Sequence, residues 1–328
     1  MVTTQVTRFR TKYGNVRKKS VIFWSPSLRA LSSFFLFFST PFLLMRVLQK
    51  LGAIVEYWSF DFPPGHETNF EDSLGGAWYI SPAHHALEFV ILVPLFLALT
   101  LFFGWRAFGP TTRAFQLLNS PLPTVKASLL ENILLFLLVL SLGVTIVHKA
   151  YTETLLFLFQ PCHASAFILI IIMGWPSSWN LMVPRLLFNI YLHTLWGAIL
   201  ALVFPDLRDH DMFGEVANFF LEHALILVVP FYLLTTGRYV VLPPSVDMAL
   251  FSFFLYAAYH SPILHLLSLT SGFNLNYVLV PPALGFLISA GPWYRFIMYM
   301  AALINMFLTR YGLVEILLRL TIEKEKTA

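Results

Sequence analysis

Long apolar runs alternate along the chain with short polar stretches, and the runs are longer than a soluble core helix needs. A bilayer core of ~30 Å is crossed by about 20 residues of α-helix. Eight runs approach that length: 30–47, 86–103, 127–147, 162–174, 186–204, 216–234, 247–269 and 293–308. The fourth is short and reads as a half-span or a re-entrant segment. The pattern therefore predicts an all-α, polytopic integral membrane protein of seven to eight transmembrane helices. Its expected organisation is a basic leader over 1–29, one membrane domain over 30–310 and a charged, amphipathic tail over 311–328.

Composition agrees with that reading. Hydrophobic residues make up 58% of the chain and charged residues 12%, against roughly 25% charged in soluble domains. The run at 30–47 has no small-residue cleavage site after it, so it is expected to be retained as a span rather than removed as a signal peptide. One cysteine excludes an intrachain disulfide. A pI near 9.1 does not point to a nucleic-acid partner, because the basic residues sit at the ends and in short loops, where they orient spans.

Arg8, Arg10, Lys12, Arg17, Lys18 and Lys19 precede the first run. Followed alternately across the membrane, the loops on the same side carry Arg106, Arg113, Lys126, Arg185 and Arg238, and the tail carries Arg310, Arg319, Lys324 and Lys326. The opposite loops hold Glu56, Asp61, Glu67, Glu71, Asp72, Asp206, Asp209, Asp211 and Glu215. The excess of Lys and Arg predicts cytoplasmic termini.

On that topology several polar groups gather near the non-cytoplasmic face. Cys162 opens the fourth span, Lys149 ends the third, His223 lies about two turns into the sixth, His260 is in the seventh, and Asn274 and Asn276 follow in GFNLNYV. Ionisable residues inside spans are costly and are functional candidates by default. Pro161 is the residue type favoured at the first helical position. It sets Cys162 in a first turn, where unpaired N–H groups and the helix dipole favour a thiolate and could hold an oxyanion. Cys with His then suggests covalent catalysis, the thiolate taking an acyl group and the imidazole moving the proton. The plainer alternative is a small buried hydrophobe at Cys162, with His223 and His260 tying helices together and Lys149 snorkelling to the interface. His163 reads as a cap or a headgroup contact. Glu88 and Glu131 suit helix starts. His84 and His85 lack a carboxylate at suitable spacing, so no metal site is expected, and no cofactor motif is present.

The runs LFLFQPCHASAF, LWGAILALVFP, LEHALILVVPFYLL, YHSPILHLLSL, GFNLNYVL and GPWYR resemble, in order and spacing, the transmembrane protein 164 family. The resemblance covers about half the chain, from Glu131 to Arg295, and the Pro-Cys-His run is its most specific part. It implies an all-helical membrane acyltransferase that forms polyunsaturated ether phospholipids, with the motif cysteine, here Cys162, as nucleophile. The family's His pattern falls on Glu222, His223 and Pro230, and its Tyr-His pair on Tyr259 and His260. Gln160 departs from the Asn expected before Pro-Cys-His.

The resulting expectation is a phospholipid acyltransferase or transacylase. An acyl chain passes from a phospholipid donor through a Cys162 thioester to a lysophospholipid, with an ether-linked lysophosphatidylethanolamine as the acceptor the resemblance suggests. His223 is the expected general base, with His260 second. His163, Lys149, Asn274, Asn276 and Arg295 are expected to orient substrate. The alternatives are a lipid hydrolase using the same residues and a non-enzymatic transporter or scaffold. The expected location is the endoplasmic reticulum or another endomembrane, with the site lumenal and membrane lipids as partners.

Overall fold

The computed structural model describes residues 44–61, 78–121, 126–176, 178–207 and 210–320. The leader, most of the first predicted span and the end of the tail lie outside them. The chain divides into two compact units, Met1–Val47 and Leu48–Ala328; the second holds the helices that follow. All its regular structure among the described residues is helical.

Residues 48–58 are helical (α1). Then come α2 (Pro82–Phe108), a short α3 (Arg113–Asn119), α4 (Leu129–Tyr151), α5 (Pro161–Gly174), α6 (Met182–Thr194), α7 (Trp196–Val203) and α8 (Glu215–Thr235). After them, α9 (Val246–Ala258) runs through a π-helical segment, Tyr259–Leu264, into α10 (His265–Ser271); α11 (Gly285–Ser289) and α12 (Tyr294–Phe307) follow. The starts are written locally. Ser81 caps α2 by accepting from the His84 N–H at 3.3 Å, with Pro82 in the first turn. Ser128 caps α4 by accepting from Glu131 N–H at 3.0 Å. Buried Glu131 then pairs with Arg238, which adds an ion pair to the dipole role expected for it.

Among the described residues five helices are long and apolar enough to cross a membrane: Pro82–Phe108, Leu129–Tyr151, Glu215–Thr235, Val246–Ser271 and Gly291–Leu320. A sixth is gained if α6 and α7, bent by 40° at Leu195, form one broken span. The expected seven to eight is therefore not reached in these residues, because the run at 30–47 falls outside them and α5, at 14 residues, is too short. At the α6–α7 break the Thr194 hydroxyl donates to Tyr191 O at 2.9 Å, a back-bond that bends helices. In the long α9–α10 helix, Pro262 lacks the N–H that would continue the ladder, and the turn widens to π geometry there.

Helices α4 to α8 share one apolar core. Leu138, Leu169, Ile172, Phe188, Leu192, Leu195, Ile226, Val229 and Leu233 are among its most buried members, and Cys162 packs against its edge. A second core joins α2, α9 and α12 through Phe96, Phe253, Ala257, Tyr299, Ala302 and Met306. Gly272 ends α10 at φ +80°, where a Cβ would meet the Phe60 ring at 2.7 Å, so both its conformation and its neighbour require glycine. Outward-facing positions stay apolar, among them Leu101, Phe136, Val139 and Phe167, as expected of helices whose solvent is lipid.

Candidate functional site

Cys162 lies in the first turn of α5. Gln160 adopts an extended conformation as the N-cap but makes no side-chain cap bond, and Pro161 follows it. The first intrahelical bond here is Ala164 N–H to Gln160 O at 3.1 Å, which leaves the N–H groups of Cys162 and His163 ahead of the ladder. The thiol is half-buried. The neighbouring Phe159 and Phe167 are exposed on the outer surface, and the Gln160 side-chain oxygen lies 4.0 Å from Sγ.

His163 and His223 are the two imidazoles that act electrostatically on the thiol. Their tautomers follow from their other partners. His223 Nδ1 is 2.8 Å from Phe219 O. A carbonyl only accepts, so Nδ1 carries the proton and Nε2 of the neutral ring is a lone pair free to face sulfur. His163 Nδ1 is 2.6 Å from Glu222 Oε1, and a carboxylate likewise fixes the proton on Nδ1. Glu222 is itself held, accepting from Thr145 Oγ1 at 2.7 Å. Behind it, Asn218 Nδ2 donates to Thr145 Oγ1 at 2.9 Å, and Ser141 Oγ donates to Asn218 Oδ1 at 2.8 Å. A polar seam between α4 and α8 thus ends on a carboxylate, an imidazole and a thiol. Nucleophile, base and a third group orienting the base is the general arrangement of covalent catalysis.

The sequence pairs Cys162 with His223, and in the structure the two interact electrostatically. His163, expected to orient substrate, instead joins Glu222 and acts electrostatically on the thiol. His260 belongs to a different cluster: its Nδ1 is 3.0 Å from Tyr299 Oη and its Nε2 is 3.4 Å from Asn276 O. The adjacent Tyr259 does reach the site's edge, donating to Phe159 O at 2.5 Å.

The expected substrate contacts other than His163 have structural partners. Lys149 Nζ is 2.9 Å from Glu215 Oε1, and both side chains are buried, so the end of α4 is tied to the start of α8. Asn274 folds its own loop, accepting from Leu279 and Val280 N–H and donating to Val280 O. Asn276 has left-handed φ and ψ of 49° and 40° and donates to Tyr256 Oη at 3.4 Å. Arg295 is 3% exposed and pairs with Glu88.

In the sequence Glu222 stands out only through the family pattern, and Thr145, Asn218 and Ser141 carry no local signal. A signal for Glu222 was present: a carboxylate inside an apolar run is as costly as the histidine beside it.

Long apolar helices packed beside a Cys–His–Glu cluster define a polytopic α-helical membrane protein. The profile of the TMEM164 family matches residues 79–311, and the chain belongs to that family. It is 30% identical over 211 residues to "Transmembrane protein 164 homolog" of Dictyostelium discoideum, covering 63% of this chain and 74% of that one. No solved structure matches.

Proposed function

We propose that the protein is a membrane phospholipid acyltransferase working through a thioester on Cys162. The observation that carries this reading is a thiol acted on electrostatically by two imidazoles, one of them fixed by a buried carboxylate. The steps follow from that geometry. An imidazole Nε2 takes the thiol proton, and the thiolate attacks the carbonyl carbon of a phospholipid ester. The tetrahedral oxyanion is stabilised by the free N–H groups at the start of α5. The C–O bond breaks, the imidazolium returns the proton to the departing lysophospholipid hydroxyl, and the acyl group stays on sulfur. A second lysophospholipid then gives its hydroxyl proton to the same imidazole and attacks the thioester, releasing thiolate and a new phospholipid.

Placement of the thiol supports a lipid substrate. It sits at the edge of an apolar core, in a helix whose start follows exposed Phe159, where an acyl chain can lie against the bundle while its ester reaches sulfur. The test is transfer of a labelled acyl chain from phospholipid to lysophospholipid by purified protein. Transfer by wild type that is lost in Cys162→Ala supports the reading, and equal transfer by both overturns it.

A further inference from the structure

A second cluster of polar groups lies inside the other helix group, where α2, α10 and α12 meet. His85 and Glu88 are three residues apart on α2 and therefore share a face, and His265 opens α10 opposite them. The carboxylate that the sequence spacing does not show for these histidines is Glu88. His85 Nδ1 and His265 Nε2 are 2.6 Å apart, and the two rings are 0% and 1% exposed. With a Glu88 oxygen, these ligand atoms all lie within 4.8 Å of one another. Arg295 reaches in from α12 and pairs with Glu88 through Nη1. Its Nη2 is 3.1 Å from His85 Nδ1 and its Nη1 is 3.3 Å from His265 Nε2.

No distribution of protons satisfies all these contacts. A guanidinium only donates. If both ring atoms accept from Arg295, two lone pairs face one another at 2.6 Å. If one ring carries the proton that joins the pair, that ring cannot accept from Arg295. The converging lone pairs call for a cation they can share.

We propose that His85, His265 and Glu88 bind a zinc-class divalent metal ion. Two imidazoles and one carboxylate are a ligand set that suits zinc, with a position left for water. Zn–N bonds of about 2.0–2.1 Å in tetrahedral geometry separate the two nitrogens by about 3.3 Å, so the rings open by well under 1 Å from where they stand. Arg295 gives up the ring atoms and keeps Glu88 Oε2 and the Tyr294 hydroxyl, which its Nε reaches at 3.4 Å. Glu88 Oε1, now 3.4 Å from His84 Nε2, turns to the metal. The carboxylate then stands between metal and guanidinium, a common outer-sphere arrangement. The ion pins α2 to α10 beside the Gly272 turn.

The experiment loads the full chain, purified in detergent and stripped with a chelator, with zinc, and measures retained metal after desalting together with the zinc X-ray absorption spectrum. The expected result is one equivalent per chain, bound by nitrogen and oxygen with two imidazoles and no sulfur. Cys162→Ala retains it. His265→Gln and His85→Gln each lower affinity by more than the ~10–100-fold typical of altering groups one step removed from a metal. Arg295→Met binds zinc more tightly. No retained zinc in wild type and Arg295→Met, a sulfur ligand, or undiminished binding in properly folded His85→Gln/His265→Gln would each overturn the assignment. Where the histidine variants fail to fold, the wild-type spectrum decides.

Discussion

Cys162 has two imidazoles within reach, and their environments differ enough to assign them different work. His163 is backed by a buried carboxylate that stabilises its imidazolium, whereas His223 is backed by a neutral carbonyl. In the proposed mechanism His163 is accordingly the proton acceptor during attack on the ester, with His223 holding the thiol's orientation. Glu222→Gln removes the charge and can turn an N–H toward His163, the change that fixes the wrong tautomer in other triads. We expect kcat to fall by about 10²–10⁴-fold with KM little changed, because the carboxylate touches no substrate; steady-state kinetics with a lysophospholipid acceptor checks this. Cys162→Ser should be nearly as inactive as Cys162→Ala in that assay, since a hydroxyl gives up its proton far less readily than a thiol. Cys162 and His223 were legible in the sequence because a proline-started helix and an in-span histidine are local signals. The link from His163 to Glu222 was not, since those residues are separated by 59 positions and meet only through the rotation of α8 against α5.

At the level of elements, α4, α5 and α8 hold the site by pairing polar groups across otherwise apolar faces. Lys149 and Glu215 form the outermost of these pairs. Removing one partner strands a buried charge, so Lys149→Met should cost about 3–5 kcal/mol, while Lys149→Met with Glu215→Leu should recover most of it; thermal unfolding in detergent and protein yield measure both. Thr145→Val, which deletes one bond to Glu222, should cost about 1 kcal/mol and lower turnover less than Glu222→Gln. The apolar runs marked the helices well: the predicted 216–234 falls inside Glu215–Thr235, and 127–147 overlaps Leu129–Tyr151. The run could not show how a helix continues or bends. The break at Leu195 and the π-helical turn at Tyr259–Leu264 depend on a threonine back-bond and a proline whose effects are felt only against packed neighbours. That turn also helps explain why His260, a residue of suitable depth, meets Tyr299 rather than the thiol.

Within Leu48–Ala328 the thiol cluster borders the core shared by α4 to α8, and the topology expected from the basic residues sets the Cys162 end at the non-cytoplasmic leaflet. Glycosylation acceptor sites inserted one at a time test this. Modification is expected between 270 and 292 and not between Arg106 and Lys126; the reverse pattern would invert the topology drawn from the basic residues. The most direct measurement of the central claim is chemical: wild-type protein incubated with phospholipid donor and no acceptor, quenched in acid, digested and read by mass spectrometry. The account predicts an acyl group on the peptide carrying Cys162, removed by neutral hydroxylamine, discharged by added lysophospholipid and decreased in Glu222→Gln. Acyl transfer proceeding at full rate in Cys162→Ala, with no adduct on that peptide in wild type, would contradict it.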